Sequence, residues 1–428
     1  MDYYVRTSII ALLLTFMFRL LNSIQLALAK AWILITNKQE RIPVFKIICR
    51  YKSSETDLTS CDDFLLIFAG VEPLSTLNNN KNISMYSLDT SSVYCVETEC
   101  HLPVFHSDVS PFFYIAQFKT ARKLYILSYP QLLLSSKASL KPDIPVVLLS
   151  NTGRCGSTLL TQMFEKTQAA FAVSEPDVLT HISNLYLSGK LGREQVMKLL
   201  PCVFSIFQEA ANQHGLKLAF IKTRSECLVL APLIHQSIPE VKQLFMYRQG
   251  MATIISYYTA YGDTPFIKEA NKSPQKAQKL IESEEEIAGV VSDVVDAFSL
   301  LAQVWIRSLA DVVMFRKQMG APIGCIKYEE LVRDPLMLLE TLNKLYFLGL
   351  SNGEIHLALK AMASDSQRGL AQQGSSFEKA LESINYSGET KTRLDALCKR
   401  LHVPPLDNQD ALDGTIMAKN PSAKEILS

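Results

Sequence analysis

The sequence predicts an α/β chain, a parallel sheet with helices on both faces, preceded by a small β-rich domain and an N-terminal hydrophobic helix. Three observations lead there. From residue 144, short apolar runs of strand length alternate with stretches of helical periodicity, as expected of strands joined by crossover helices. Between residues 42 and 140, β-branched and apolar runs are separated by turn-rich pieces such as "STLNNNKN" and "HSDVSP". The first 30 residues are mostly apolar. The expected organisation is an N-terminal membrane segment at 1–36, a β-rich domain at 42–140, a large α/β domain at 144–405 and a C-terminal tail at 406–428.

Composition agrees with a folded chain: of 428 residues, 48% are hydrophobic and 20% charged. The 43 basic and 42 acidic residues leave a net charge of +1. Bulk charge therefore gives no attraction for nucleic acid, which is not an expected partner, and any anion site must be local.

The N-terminal stretch from Ile9 to Ala29 is long enough to cross a bilayer. Arg19 at its middle costs about 2.5–3.5 kcal/mol on the insertion scale, which neighbouring leucines offset. Asn22, Ser23 and Gln25 interrupt its second half, and Ala27-Leu28-Ala29 resembles a small-residue cleavage site. Three readings stand: a signal-anchor, a cleaved signal, and an amphipathic helix lying on a membrane or on the protein itself. Asn82, Asn271 and Asn385 head N-x-S/T triplets usable in a lumen.

In the β-rich part the expected strands are Val44–Cys49, Phe64–Phe68, Ile83–Leu88, Val93–Val96, Phe112–Ala116 and Lys123–Leu127. Nothing there has the pattern of a catalytic site; His101 and His106 read as ordinary histidines. Nine cysteines form no C-x-x-C pair and no zinc spacing, so no metal site is expected. Cys95 and Cys100 suit either a hairpin disulfide or two thiols.

In the α/β part, the strand beginning at Ile144 leads through a Gly-rich loop to a helix over Thr158–Lys166. Leu216–Ile221 ends at Lys222. Val241–Tyr247 ends at Arg248 and opens a helix through Tyr258, and Pro322–Tyr328 ends at Glu329. Residues 262–320 read as helical, with the acidic run Glu282–Glu286 as a solvated helix start. Ligands of such sheets sit beyond the carboxyl ends of the strands, and four strand ends here carry polar side chains.

The loop "SNTGRCGSTLL", residues 150–160, has the chemistry of an anion site. Amides at a helix start point outward with partial positive charge. Gly153 and Gly156 let the backbone curl, Ser157 and Thr158 add hydroxyls, and Arg154 adds a charged fork. A Walker loop would end in Gly-Lys-Ser/Thr; Gly156-Ser157-Thr158 does not, which argues against metal-dependent triphosphate chemistry. Cys155 lacks the arginine a cysteine phosphatase needs six residues on, where Thr161 stands.

These stretches together resemble the sulfotransferases that use 3′-phosphoadenosine 5′-phosphosulfate (PAPS). "GRCGSTLL" resembles the family's phosphosulfate loop, and "QLFMYRQGMATIISYY" its second signature, in which an Arg and a Ser eight residues on bind the nucleotide 3′-phosphate; Arg248 and Ser256 have that spacing. "FIKTRSE" resembles the Lys-Thr-His segment, and "IKYEELVRDPLMLLETLNKLYFLGL" the "YEDL…FLGL" stretch. The resemblance covers about residues 144–352, in family order. It implies a P-loop-like fold and PAPS as sulfuryl donor, held by Arg154, Cys155, Gly156, Ser157, Thr158, Arg248 and Ser256. It implies metal-independent in-line transfer to a hydroxyl acceptor on a carbohydrate, a protein tyrosine or a lipid. Lys222 would stabilise charge on the leaving oxygen.

The proton acceptor is where the chain departs from cytosolic members, whose His is Arg224 here. Arginine stays protonated and accepts no proton. "AVSEP" offers Glu175, 21 residues after Arg154, close to where Golgi-type members place their catalytic Glu. The structural alternative is that Glu175 caps a helix beginning near Pro176; His181 is a weaker candidate base. Arg368-Gly369 partly matches a late nucleotide-binding segment of the family. Trp305, Tyr257 and Tyr258 read as core or as acceptor-pocket walls. A Glu base and a signal-anchor together point to a membrane location facing the Golgi lumen, the alternative being cytoplasmic. The competing functions are a nucleotide-binding module without turnover, suggested by Arg224, and a P-loop kinase.

Overall fold

In the computed structural model the described residues are 17, 19–29, 31, 40–136, 140–262, 265–273, 296–320, 323–363 and 386–417. The run Glu282–Glu286, Arg368-Gly369 and Asn385 lie outside them. The chain forms two compact units. One comprises Met1–Ile144 with Val173–Leu216, the other Pro145–Ala172 with Lys217–Ser428.

The first unit is built on an antiparallel sheet of β1 (Arg41–Arg50), β2 (Phe64–Pro73), β3 (Ile83–Leu88), β4 (Ser92–Thr98) and β5 (Ala121–Ser128), in the order β2-β1-β5-β4-β3. Phe45, Phe64, Leu66, Tyr94, Val96, Leu124 and Ile126 form its apolar cluster, which Leu26 and Ala29 of the N-terminal segment join. Residues 19–29 are helical. The expected strand at Phe112–Ala116 is instead a helix, Phe113–Thr120, buried over Phe113–Gln117. An apolar run this short carries no period that separates strand from helix. Helices Asp177–Leu187 and Arg193–Gln213 also belong to this unit. Asp177 Oδ2 accepts from the Thr59 amide at 2.9 Å, and His181 Nε2 donates to the Thr59 carbonyl at 2.7 Å. His181 is thus a structural pin. Cys95 and Cys100 are not disulfide-bonded, and burial pushes the Cys95 thiol up to about 12.

The second sheet runs β10-β9-β6-β8-β7. Its strands are β6 (Val146–Asn151), β7 (Ala170–Ser174), β8 (Leu218–Lys222), β9 (Lys242–Tyr247) and β10 (Gly324–Lys327). β6 pairs in parallel with β8 and β9, and β9 with β10. All six residues of β6 are buried, as a central parallel strand covered on both faces requires. The sheet has five strands, one more than the sequence reading; the addition is β7, a short alanine-containing segment directly before Glu175. Glu329 does not end a strand. It lies in the helix Tyr328–Arg333, which starts as soon as β10 stops.

One helix among the described residues, Ala297–Met319, is long and apolar enough to cross a membrane, and 67% of its apolar window is buried in the fold. Its Trp305, Leu309, Val312 and Phe315 share a cluster with Phe245 and Tyr247 of β9. Residues 406–417 are not a loose tail. Thr415 bridges to Cys325 of β10 in parallel, the Ile416 amide donates to the Cys325 carbonyl at 2.8 Å, and the Leu412 amide donates to Tyr247 Oη at 2.8 Å.

Candidate functional site

The second unit gathers its polar side chains at the carboxyl ends of β6, β8 and β9. The β6 loop makes the turn through left-handed backbone: Gly153, Arg154 and Gly156 have φ of 74°, 51° and 81°. Gly156 is the N-cap of the helix Ser157–Lys166, which has no side-chain cap and no acidic residue in its first turn. The first amides of a helix have no intrahelical partner. This end therefore presents partial positive charge with no acidic residue in its own first turn to offset it.

Asn151, which sequence reasoning missed, frames the loop. Its Nδ2 donates to the Thr223 carbonyl at 2.7 Å, and its Oδ1 accepts from the Gly153 amide at 2.8 Å. The end of β6 is thereby tied to the residue following Lys222. Lys222 itself is buried, and so is Thr223. Cys155 is fully buried, and its Sγ donates to the Met246 carbonyl at 3.3 Å. Burial pushes its thiol up, partly offset by the charge of Lys222. A buried, neutral thiol is no nucleophile, so Cys155 can serve a ligand only through its backbone. Ser157 and Thr158 are buried at the helix start.

Arg248 follows β9. Its guanidinium lies over the Tyr328 ring, 4.8 Å from the centroid. Its Nε is buried and has no hydrogen-bond partner among the described residues, a costly state unless a ligand supplies the acceptor. The backbone around it is fixed from two sides. Trp305 Nε1 donates to the Arg248 carbonyl at 3.0 Å, and Glu329 Oε1 accepts from the Gln249 amide at 3.2 Å. The Gln249 side chain then caps the helix Gly250–Tyr261 at Ala252. Trp305 and Tyr258 are core residues, but the Trp305 indole also positions Arg248.

Tyr328 links the loop after β6 to Arg248. Arg248 covers its ring, and a Cβ at Gly156 would lie 2.6 Å from its Cε2. Only glycine lets loop and ring approach so closely. Tyr257 does the same at Gly153, where a Cβ would overlap its hydroxyl. The "YEEL" stretch flagged Tyr328 in the sequence; nothing flagged Tyr257 as a loop contact.

The structure brings Arg154 to Ser256: Nε donates to Oγ at 3.1 Å, and the guanidinium lies 5.9 Å from the Tyr261 centroid. The loop arginine thus leans onto the helix after β9, joining two groups that the sequence assigned to separate phosphates. Arg224 is half-buried and precedes the short helix Ser225–Leu230.

Glu175 belongs to the first unit and directly follows β7, the neighbour of β8 in the sheet order. It is half-buried and has a φ of 59°, a left-handed conformation costing about 1–3 kcal/mol in a non-glycine residue. It stands one residue before Pro176, the N-cap of the helix Asp177–Leu187.

No model of a known protein family matches the chain, and no curated protein matches it.

Proposed function

We propose that the chain is a sulfotransferase that moves the sulfuryl group of PAPS to a hydroxyl acceptor. The observation that carries this reading is the pairing of two cationic anion-binding elements on one tyrosine ring. An uncapped helix start with its left-handed loop touches one part of Tyr328, and the orphaned Nε of Arg248 sits over the ring. Two such elements suit a nucleotide with a phosphate on each side of its ribose. Charge-assisted bonds from Arg248 and the loop amides would hold it.

In this reading the donor supplies an activated sulfuryl group, and the chain's own residues position it and manage charge and protons. The acceptor oxygen forms a new S–O bond as the S–O bond to the phosphate breaks. The Lys222 ammonium stabilises the electron pair left on the phosphate oxygen. The Glu175 carboxylate takes the acceptor's proton, a role closed to Arg224. The acceptor belongs to the hydroxyl class.

Calorimetry with the desulfated nucleotide, 3′-phosphoadenosine 5′-phosphate, tests the site. The full chain is expected to bind it, and Arg248→Ala to bind about 10- to 100-fold more weakly, as loss of charged hydrogen bonds implies. Absence of binding by the wild type overturns the reading. Glu175→Gln is expected to keep binding and to lose transfer over a panel of hydroxyl acceptors by about 100-fold or more. Binding without transfer by the wild type would instead establish a nucleotide-binding module.

A further inference from the structure

The N-terminal helix turns two amide side chains, Asn22 and Gln25, toward the sheet and most of its large apolar side chains away from it. Asn22 and Gln25 face the edge strand β2 and act as a substitute strand. Asn22 Nδ2 donates to the Phe64 carbonyl, and its Oδ1 accepts from the Leu66 amide at 3.1 Å. Gln25 Nε2 donates to the Leu66 carbonyl at 2.7 Å, and its Oε1 accepts from the Phe68 amide at 3.2 Å. Two side-chain amides thus satisfy alternate peptide groups of a strand that would otherwise present a bare edge. Leu26 and Ala29 share this inward face and join the sheet's apolar cluster.

The opposite face carries Leu20, Leu21, Ile24 and Leu28, exposed by 49%, 51%, 50% and 65%, and Phe68 beside Gln25 is 53% exposed. A helix bounded by water puts its polar residues outward. Here Arg19 and Ser23 are exposed, but so are Leu20, Leu21, Ile24 and Leu28 while Asn22 is buried, so this face calls for surroundings that take apolar side chains beside a cation. Charge indicates what they are. From Tyr3 to Gln39 there is no acidic residue, while Arg6, Arg19, Lys30 and Lys38 are basic, in a chain that is otherwise balanced at 43 basic against 42 acidic. An apolar face inside an exclusively basic segment fits an anionic lipid surface.

We infer that residues 19–29 lie in the plane of an anionic membrane surface and do not cross it, because their other face is the edge cap of the N-terminal sheet. The inference is independent of the nucleotide reading. The test is flotation of the full chain with vesicles of phosphatidylcholine, with and without phosphatidylserine. The wild type is expected to float, more completely with phosphatidylserine. Ile24→Ser with Leu28→Ser is expected to reduce bound protein about tenfold or more without changing the circular dichroism melt. Asn22→Ala with Gln25→Ala keeps the outer face, so it should still float while the Leu66 and Phe68 amides exchange hydrogen faster. Three results overturn the inference: flotation unchanged in the Ile24/Leu28 variant, a dimer in vesicle-free solution that this variant dissolves, or Leu66 and Phe68 amides that stay protected in the Asn22/Gln25 variant.

Discussion

At the scale of single residues, the loop depends on positions where only glycine fits. Gly156 combines a φ of 81° with a ring edge against its α-carbon. Gly156→Ala therefore meets a left-handed backbone penalty and a clash with Tyr328, and a rigid, partly buried ring has little room to yield. The expected cost is about 1–3 kcal/mol of stability, together with weaker binding of the desulfated nucleotide, because the ring also carries Arg248. Tyr328→Phe, which keeps the ring, is the control and should bind like the wild type. A Gly156→Ala protein that melts and binds like the wild type would remove Tyr328 as the link between the two elements. Glu175 and Arg154 are the contrasting cases: both hold left-handed backbone with a full side chain. Glycine would relieve that strain but would delete the carboxylate or the guanidinium, so the strain is consistent with sites where the side chain is needed.

At the scale of elements, the last described segment is structural. Leu406 lies against Gly250 at the start of the helix that carries Ser256, with its carbonyl accepting from the Met251 amide at 2.9 Å. Leu412 and Ile416 are buried. A chain ending at 405 loses these side chains, each contributing about 1.5–3 kcal/mol when fully buried, and with them the bonds to Tyr247 and Cys325. Its thermal midpoint should fall by several degrees, and nucleotide binding should weaken because the Ser256 helix loses its support. A chain ending at 417 is the control. This segment was not legible as structure because its partners, the Tyr247 hydroxyl and the backbone of Cys325 and Met251, lie far away in sequence, and "LDNQDALDG" has no periodicity. The same logic divides the rest. β6 and its loop were legible, since a continuous apolar run followed by Gly and Ser punctuation has few other meanings. Lys222 and Arg248 were legible as strand ends. The helix Phe113–Thr120 and β7 were not, being too short to carry a period. The Arg154–Ser256 bond joins residues 102 apart in sequence, and no local pattern encodes it.

At the scale of the whole molecule, the first unit is discontinuous in sequence, and this sets what can fold alone. The segments flanking the strands of residues 41–128 take part of their hydrogen bonding from Val173–Leu216. The Thr59 amide is satisfied by Asp177, which is fully buried, and the Thr59 carbonyl by His181. Gln208 bonds the amide and carbonyl of Lys141 and the carbonyl of Ile144. A fragment comprising residues 1–144 keeps every strand of this sheet but loses all these partners and the apolar faces of two helices. Each buried polar group left unpaired costs about 1–3 kcal/mol, and a small domain is stable by only about 5–15 kcal/mol. The fragment is therefore expected to lack a cooperative thermal transition by circular dichroism and to show poorly dispersed amide resonances, while the full chain melts cooperatively. A cooperative melt of the fragment at a midpoint near that of the full chain would mean that Asp177, His181 and Gln208 decorate a sheet that is already complete. Loss of the transition would mean that the excursion between β7 and β8 completes the N-terminal core.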